Sequence, residues 1–338
     1  MKGSNPSRRG SALIVALWTI LLLSLLVATL TFDMQVEAAV SSAWRRRVQA
    51  EWHARSGVAY AQWLLARYRA WGEGPPPENL DAEPWHMARQ LRRFLSVRSA
   101  RVGLEDAGGF ELTIEPENAR RNIHALETAD WYEVLYRAGV PEEHWDELIA
   151  CFLDWTDSDD MHRLLGAEKE DPFYVERGYA PANAPLQTLA ELTLVKGFSW
   201  ELVFGGPSPW AEGEILLGIA NWLTVRGDGR INPAAADRDT LLTIPGLTEA
   251  EADAILEAAK GPDGEPGTED DGFADAVEFA AATGMTDPNV WQRLSFDEQR
   301  YFRVASVGRS GQSRYMIRAV IRVEASAAVI VEWAEGQP

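Results

Sequence analysis

Residues 11–32 have the sequence SALIVALWTILLLSLLVATLTF, which contains no charged residue. A helix rises about 1.5 Å per residue, so a helix of this length crosses a hydrocarbon core of about 30 Å. A secretory signal peptide usually has a shorter apolar run, of about 7 to 15 residues. The segment 11–32 is therefore predicted to be a transmembrane helix.

The helical pattern continues beyond the membrane segment. Small and apolar residues recur at intervals of three and four, as on one face of a helix. The residues in this stripe are Ala50, Ala54, Val58, Ala61, Leu65 and Tyr68. The sequence GEGPPPEN at 72–79 ends the pattern, because glycine and proline interrupt helices. We therefore expect one helix to about residue 71, half in lipid and half in water.

The rest of the chain has the composition of a globular protein. Its 338 residues are 46% hydrophobic and 25% charged, which is enough for a core and more than one domain. The net charge of −19 disfavours nucleic acid as a partner. The single cysteine, Cys151, excludes an intrachain disulfide and lies in an apolar run, so we expect a buried thiol.

Two groups of strands flank a long helical region. Phe110, Leu112 and Ile114 alternate with polar residues, as in a half-buried strand, and 101–106 is the expected hairpin partner. Three further strands, predicted to form an antiparallel meander, lie at 301–307, 314–324 and 328–333.

The predicted fold class is α+β. The long N-terminal helix packs on an antiparallel sheet, which is formed by residues 80–120 and 291–338. A large all-α domain of helical hairpins is inserted at 121–290. Its hairpins are indicated by a repeated pattern of glycine, an apolar residue and serine or threonine, in which glycine closes one helix and Ser199, Thr248 or Thr286 caps the next.

The same pattern resembles the helix-hairpin-helix motif that binds DNA, which is the main alternative. That motif normally has a second glycine, which lets backbone amides approach a phosphate, and serine or threonine replaces it here. Glu249, Glu251 and Asp253 would also repel a phosphate at the helix N-terminus. We therefore expect packed hairpins that do not bind nucleic acid.

Acidic residues concentrate in two loops. The first contains DWTDSDD at 154–160 and GAEKEDPFY at 166–174, and the second is 261–271. Calcium takes about six to eight oxygen ligands and would relieve the repulsion between such carboxylates. Zinc is less favoured, since His162 is the only nearby nitrogen ligand. A solvated acidic loop is the alternative for the first, and a flexible linker for the second.

The N-terminus resembles the class III signal of type IV pilins and pseudopilins. A basic leader with Arg8 and Arg9 ends in Gly10 and is followed directly by the apolar helix. The resemblance implies that a prepilin peptidase removes residues 1–10 and methylates Ser11. Most members carry glutamate at the fifth mature position, where this chain has Val15. The protein K family of minor pseudopilins lacks that glutamate and is larger than its relatives, so the chain is identified as a member of this family.

The resemblance to protein K implies a role in type II secretion. The chain would form the tip of the periplasmic pseudopilus with two smaller minor pseudopilins, of the I and J type, and prime its assembly for protein export. It would be a single-pass protein of the inner membrane, with a cytoplasmic N-terminus and a periplasmic bulk. Exported cargo is a further candidate partner. The expected partner-helix face consists of Val15, Ala50, Ala54, Val58 and Ala61.

The resemblance also supports the calcium prediction, because the helical domain of protein K binds calcium. The implied ligands in the first loop are Asp154, Asp157, Asp159, Glu168 and Asp171. A second, weaker ligand set is Asp263, Glu269, Asp270 and Asp271.

The sequence gives no support for catalysis. It contains neither an HExxH zinc motif, nor a Gly-x-Ser-x-Gly elbow, nor a phosphate-binding loop. We therefore expect a structural assembly subunit and not an enzyme. The competing classes are a membrane-anchored module that binds nucleic acid and a tethered hydrolase.

Overall fold

A computed structural model describes most of the chain. The described residues are 7–71, 82–93, 97–104, 108–266, 268, 270–297, 299–324 and 327–336. The helices are α1 Ser7–Leu65, α2 Tyr68–Trp71, α3 Ala82–Arg92, α4 Thr128–Ala138, α5 Trp145–Thr156, α6 Pro172–Arg177, α7 Trp200–Phe204, α8 Arg238–Leu241, α9 Glu249–Ala258, α10 Ala276–Thr283 and α11 Pro288–Trp291. The strands are β1 Val97–Leu104, β2 Gly108–Pro116, β3 Arg121–Asn122, β4 Gly206–Pro207, β5 Ile215–Leu216, β6 Leu223–Thr224, β7 Tyr301–Ser310, β8 Ser313–Val323 and β9 Ala328–Gly336.

The long helix α1 has 59 residues. Among the described residues, its part Ala12–Leu65 is the one helix that is long and apolar enough to cross a membrane. The helix ends at Leu65 and not near residue 71, because the backbone hydrogen bonds change there from a spacing of four residues to a spacing of three. The amide of Arg67 donates to the carbonyl of Leu64, three residues back, at 2.9 Å, and α2 follows as a separate turn.

The main sheet is antiparallel and has the strand order β1-β2-β7-β8-β9. Its centre joins two distant parts of the sequence, since β2 pairs with β7 from Gly109 opposite Arg309 to Pro116 opposite Phe302. Alternate residues of β7 are buried, as expected for a strand with one covered face. The α+β fold predicted from the sequence is confirmed.

Helix α1 covers one face of this sheet at close range. A Cβ atom on Gly308 would lie 1.9 Å from the carbonyl oxygen of Ala50 and 2.4 Å from the amide nitrogen of Ala54. A Cβ atom on Gly57 would lie 2.1 Å from the hydroxyl oxygen of Ser306. Only small residues on both elements permit this approach.

This contact corrects one prediction. The stripe Ala50, Ala54, Val58 and Ala61, expected to meet partner helices, is at most 1% exposed. It packs on the chain's own sheet, so it is not available to another subunit. Val15, in contrast, is 61% exposed on the apolar part of α1.

The region between β2 and β7 contains two hydrophobic cores. The first is built around Trp131, Phe152 and Phe198, and the second around Ile244, Ile255 and Phe279. The region is not purely helical, because β3 pairs in parallel with β6 and β4 pairs with β5.

Buried charges link the two cores to each other. Asp130 accepts hydrogen bonds from Arg121 at 2.7 Å and from Arg293 at 2.6 Å. Arg121 also donates to the carbonyl oxygen of Thr243 at 2.7 Å. Burial alone would raise the pKa of Asp130, but the hydrogen bonds and charges of Arg293 and Arg121 lower it. The beginning and the end of the helical region are therefore held at one carboxylate.

The repeated hairpin pattern has the expected local structure at two of its three copies. Gly246 adopts a left-handed conformation with φ of 87°, Leu247 is buried, and Thr248 caps α9. Ser199 caps α7 in the same way. The prediction that Thr286 caps the third helix is wrong, because the side chain of Asp287, one residue later, caps α11.

Candidate metal-binding loops and membrane helix

The first acidic loop lies between the end of α5 and the start of α6. Asp154 occupies the last turn of α5, and its side chain is 0% exposed. Asp171 is at the other end of the loop, where its side chain accepts a hydrogen bond from the amide of Phe173 at 2.8 Å and so caps α6. Helix ends thus fix both limits of the loop.

Asp154 is surrounded by groups of the loop itself. It accepts hydrogen bonds from the backbone amide of Arg163 at 3.1 Å and from its Nη1 atom at 2.7 Å. The same Nη1 atom donates to Asp157. A Cβ atom on Gly166 would lie 1.9 Å from Oδ2 of Asp154, so the carboxylate needs the bare backbone there.

Two other predicted ligands also have partners. Asp159 is exposed and accepts a hydrogen bond from the amide of Met161 at 2.8 Å. Asp171 pairs with Lys196 at 3.0 Å. Burial would raise the pKa of Asp171, but the Phe173 amide and Lys196 lower it below its ordinary value. The carboxylate of Asp171 is therefore ionised and already in use.

Glu168 is the exception in this loop. It is 3% exposed, and neither of its carboxylate oxygens has a hydrogen-bond partner among the described residues. Burial, followed by the charges of Asp154 and Asp157, raises its pKa to about 7. A buried carboxylate without a partner is costly, and a cation would remove that cost. The donor set of the loop therefore fits an oxygen-binding cation such as calcium.

The structure brings together the set that the sequence ranked second. Within the described residues, the group of three acidic side chains whose oxygens lie within 4.8 Å of one another is Asp263, Asp270 and Asp271. The hydroxyl of Thr268 donates to Asp270 at 2.8 Å, and the amide of Asp263 donates to Asp270 at 3.2 Å. Glu269, the fourth predicted ligand, lies outside the described residues.

Sequence reasoning missed the cations of the first loop. Arg163 binds Asp154 and Asp157, and Lys169 pairs with Asp160 at 2.6 Å. The available signal was the presence of these two basic residues inside an otherwise acidic segment.

The remaining predicted positions are placed as follows. Gly10 and Ser11 lie within α1, as the first residues before and after the expected cleavage point. Cys151 is buried, and burial raises its pKa to about 12, so the thiol stays protonated at neutral pH.

The chain is similar to known proteins in part of its sequence and in its fold. Residues 114–204 match the family model of type II secretion system (T2SS), protein K. The fold is similar to a chain in the crystal structure of the GspK-GspI-GspJ complex from the enterotoxigenic Escherichia coli type 2 secretion system, with a TM-score of 0.58 and 18% identity. The similarity covers 88% of this chain and 99% of that chain. No curated protein sequence matches the chain.

The two matches differ in how much of the chain they cover. The family match begins within β2 and includes the whole first acidic loop. The structural match extends over most of the chain and, at this level of identity, shows the fold.

Proposed function

We propose that this protein, which the family match and the fold support as a minor pseudopilin of the protein K family, forms the tip of a type II secretion pseudopilus. It primes assembly of the fibre for protein export and has a structural role without catalysis. Helix α1 anchors it in the inner membrane by a single pass, with the N-terminus in the cytoplasm and the bulk in the periplasm.

The observation that carries this proposal is where the helical region leaves the sheet. Its two connections follow Pro116 and precede Tyr301, at one end of the β2–β7 pair. That end lies beside Tyr68, whose ring packs on Phe302 at 5.6 Å, whereas the opposite end packs near Ala50. Since the membrane segment is at the start of α1, the helical region emerges at the membrane-distal end. A bulky region there would obstruct any subunit stacked above it.

The absence of a glutamate at Val15 supports the same position. A charge in the hydrocarbon core is costly unless a neighbouring group pairs with it. A pilin glutamate pairs with the amino terminus of the next subunit, and a tip subunit has no subunit above it. An uncharged residue such as Val15 is accordingly expected at this position in a subunit at the end of the fibre.

We propose two smaller minor pseudopilins as the partners, by analogy with the GspK-GspI-GspJ complex. The buried stripe on α1 cannot meet them, so the contact falls on the exposed part of the helix that follows the membrane segment. Val40, Trp44 and Trp52 are 62%, 67% and 66% exposed there. Large apolar side chains left in water are typical of an interaction surface.

Substitution at Val15 tests the position in the fibre. A Val15→Glu variant of the full chain is expected to assemble no better than the wild type, because a tip subunit offers the new charge no partner. Incorporation is measured by cross-linking and counting this subunit per fibre. Val27→Glu, in the same apolar segment, controls for the general cost of a charge in lipid. Increased incorporation of Val15→Glu along the shaft would refute the tip assignment.

We also propose that a prepilin peptidase cleaves after Gly10 and that Ser11 becomes the N-methylated mature terminus. Mass spectrometry of the purified protein reads this terminus directly. An intact Met1, or a terminus beyond residue 32, would contradict the proposal and leave α1 as an ordinary anchor or signal peptide.

Calcium binding at 154–171 is a further proposal, and it is supported by Glu168, whose carboxylate oxygens have no hydrogen-bond partner among the described residues. Asp154, Asp157, Asp159 and Glu168 would hold the ion. A ligand at a hundredfold its dissociation constant stabilises the folded state by about 2.7 kcal/mol. The melting temperature of the full chain in detergent should therefore rise when calcium is added and fall when a chelator is added. An unchanged calcium response in the double variant Asp157→Ala with Asp159→Ala would show that these ligands are misassigned.

A further inference from the structure

The first acidic loop already contains a cation of its own. Nη1 of Arg163 contacts Oδ1 of Asp154 at 2.7 Å and also contacts Oδ2 of Asp157. The guanidinium therefore lies between two of the carboxylates assigned to the metal. No other basic side chain among the described residues forms an ion pair with either of them.

The charges around Arg163 are far from balanced. Lys169 forms its ion pair with Asp160 at 2.6 Å, and its charge acts on Glu168 without a direct contact. The carboxylates that crowd Glu168 and add to its charge repulsion are Asp154, Asp157, Asp159 and Asp160. One guanidinium thus neutralises part of the cluster, and among the described residues neither oxygen of Glu168 has a hydrogen-bond partner.

The two partners of this ion pair differ in their freedom to move. The side chain of Asp154 is 0% exposed, whereas that of Arg163 is 42% exposed. Rotation of the arginine side chain into solvent breaks no backbone contact, because the amide of Arg163 still donates to Asp154 at 3.1 Å. The guanidinium can leave while the loop backbone and the carboxylates stay in place.

We propose that Arg163 is a built-in counter-cation, which holds Asp154 and Asp157 together in the absence of metal and competes with a divalent cation for them. This inference rests on the proposed calcium site. It assigns Arg163 two opposite effects: the side chain stabilises the metal-free loop, and it weakens metal binding because the ion must displace it. Arg163 is a positioning residue here and not a ligand.

The test compares calcium affinity across three variants of the full chain in detergent. Isothermal titration with calcium chloride measures the dissociation constant, and thermal unfolding in chelator measures the metal-free stability. Arg163→Gln is expected to bind calcium about tenfold more tightly than the wild type, which corresponds to about 1.4 kcal/mol, and to unfold at a lower temperature in chelator. Arg163→Lys, which keeps a positive charge, is expected to restore the wild-type affinity in large part.

Lys169→Gln is the matched control, since it removes one positive charge from the same loop without touching Asp154 or Asp157. It should raise the affinity by less than about threefold, through long-range electrostatics alone. Equal gains from Arg163→Gln and Lys169→Gln would overturn the role of Arg163 while leaving the calcium site intact. Absence of calcium binding in the wild type and in every variant would overturn both proposals.

Discussion

The two acidic loops are similar in composition and opposite in construction. In the first loop, Asp154 is buried, and the chain supplies Arg163 as its counter-charge. In the second, three carboxylates approach within 4.8 Å, and Thr268 and a backbone amide donate hydrogen bonds to them. Burial alone does not separate the two loops, because Asp271 in the second cluster is buried as well; the difference lies in the groups that contact the carboxylates, an arginine in the first loop and neutral donors in the second.

The comparison shows that an acidic run does not by itself predict a metal site. The first loop has a buried carboxylate, Glu168, whose oxygens accept no hydrogen bond from any described residue. The second has a tighter cluster, in which water can screen the exposed Asp263 and the buried Asp271 accepts a hydrogen bond from Thr268 at 3.2 Å. The first loop therefore needs a cation more, and the second has the better arranged ligands.

The largest expected effect concerns Glu168 and pH. Its folded pKa of about 7 is above the ordinary value of 4.5, so its contribution to stability is fully present below pH 4.5 and is lost as pH rises through 7. Glu168→Gln removes this loss. The metal-free variant should therefore gain up to about 3 kcal/mol over the wild type at pH 8 and almost nothing at pH 4.5.

Denaturant unfolding of both chains in chelator, across this pH range, measures the difference. Asp263→Asn in the second loop serves as the control, since any gain at this exposed position should stay below about 0.5 kcal/mol. A constant difference between Glu168→Gln and the wild type at all pH values would show that Glu168 is not a raised, buried acid.

The next effect separates backbone packing from charge in the first loop. Gly166→Ala would place a Cβ atom 1.9 Å from Oδ2 of Asp154 and force the carboxylate away from Arg163. Overpacking of this kind costs about 1 to 3 kcal/mol. Gly336→Ala is the matched control, since no atom lies within 4 Å of its added Cβ. Equal melting temperatures of the two variants in chelator would contradict the described contact.

The smallest expected effects are changes in stability that have opposite signs in the two loops. Asp157→Asn removes a partner of Arg163 and should destabilise the metal-free chain. Asp263→Asn relieves repulsion in the second cluster and should stabilise it, by less than about 0.5 kcal/mol for an exposed position. Melting in chelator gives both signs, and two shifts in the same direction would remove the contrast between the loops.

Much of the fold was predictable because its signals are local. Alternating apolar residues such as Leu112 and Ile114 indicated the strands, and the uncharged segment 11–32 indicated the long helix. The break after Leu65 was not predictable, since Ala66 and Arg67 favour helix as well as most residues do. Asp287 displaced Thr286 as a cap because both residue types are suitable and the fold selects one.

The prediction that the stripe on α1 meets partner helices was wrong for a different reason. Small residues at Ala50 and Ala54 indicate a close approach, but the sequence does not state what approaches. The answer is Gly308, far along the chain, which the helix pattern cannot reveal. The burial of Glu168 and the placement of Arg163 likewise depend on how the loop closes, which no spacing in the sequence specifies.

The attachment of the helical region also has a mechanical meaning. The helical region is connected to β2 and β7, which are hydrogen-bonded neighbours, and both connections leave at the end where Pro116 is paired with Phe302. A pull or push on that region moves both strands together, so the ladder between them is not sheared. The load passes instead to β1 and β8 on either side and to α1 across the sheet face. If the chain forms the tip of a fibre as proposed, thrust from the growing fibre would reach the helical region through a pair of strands backed by a helix, and not through a single flexible linker.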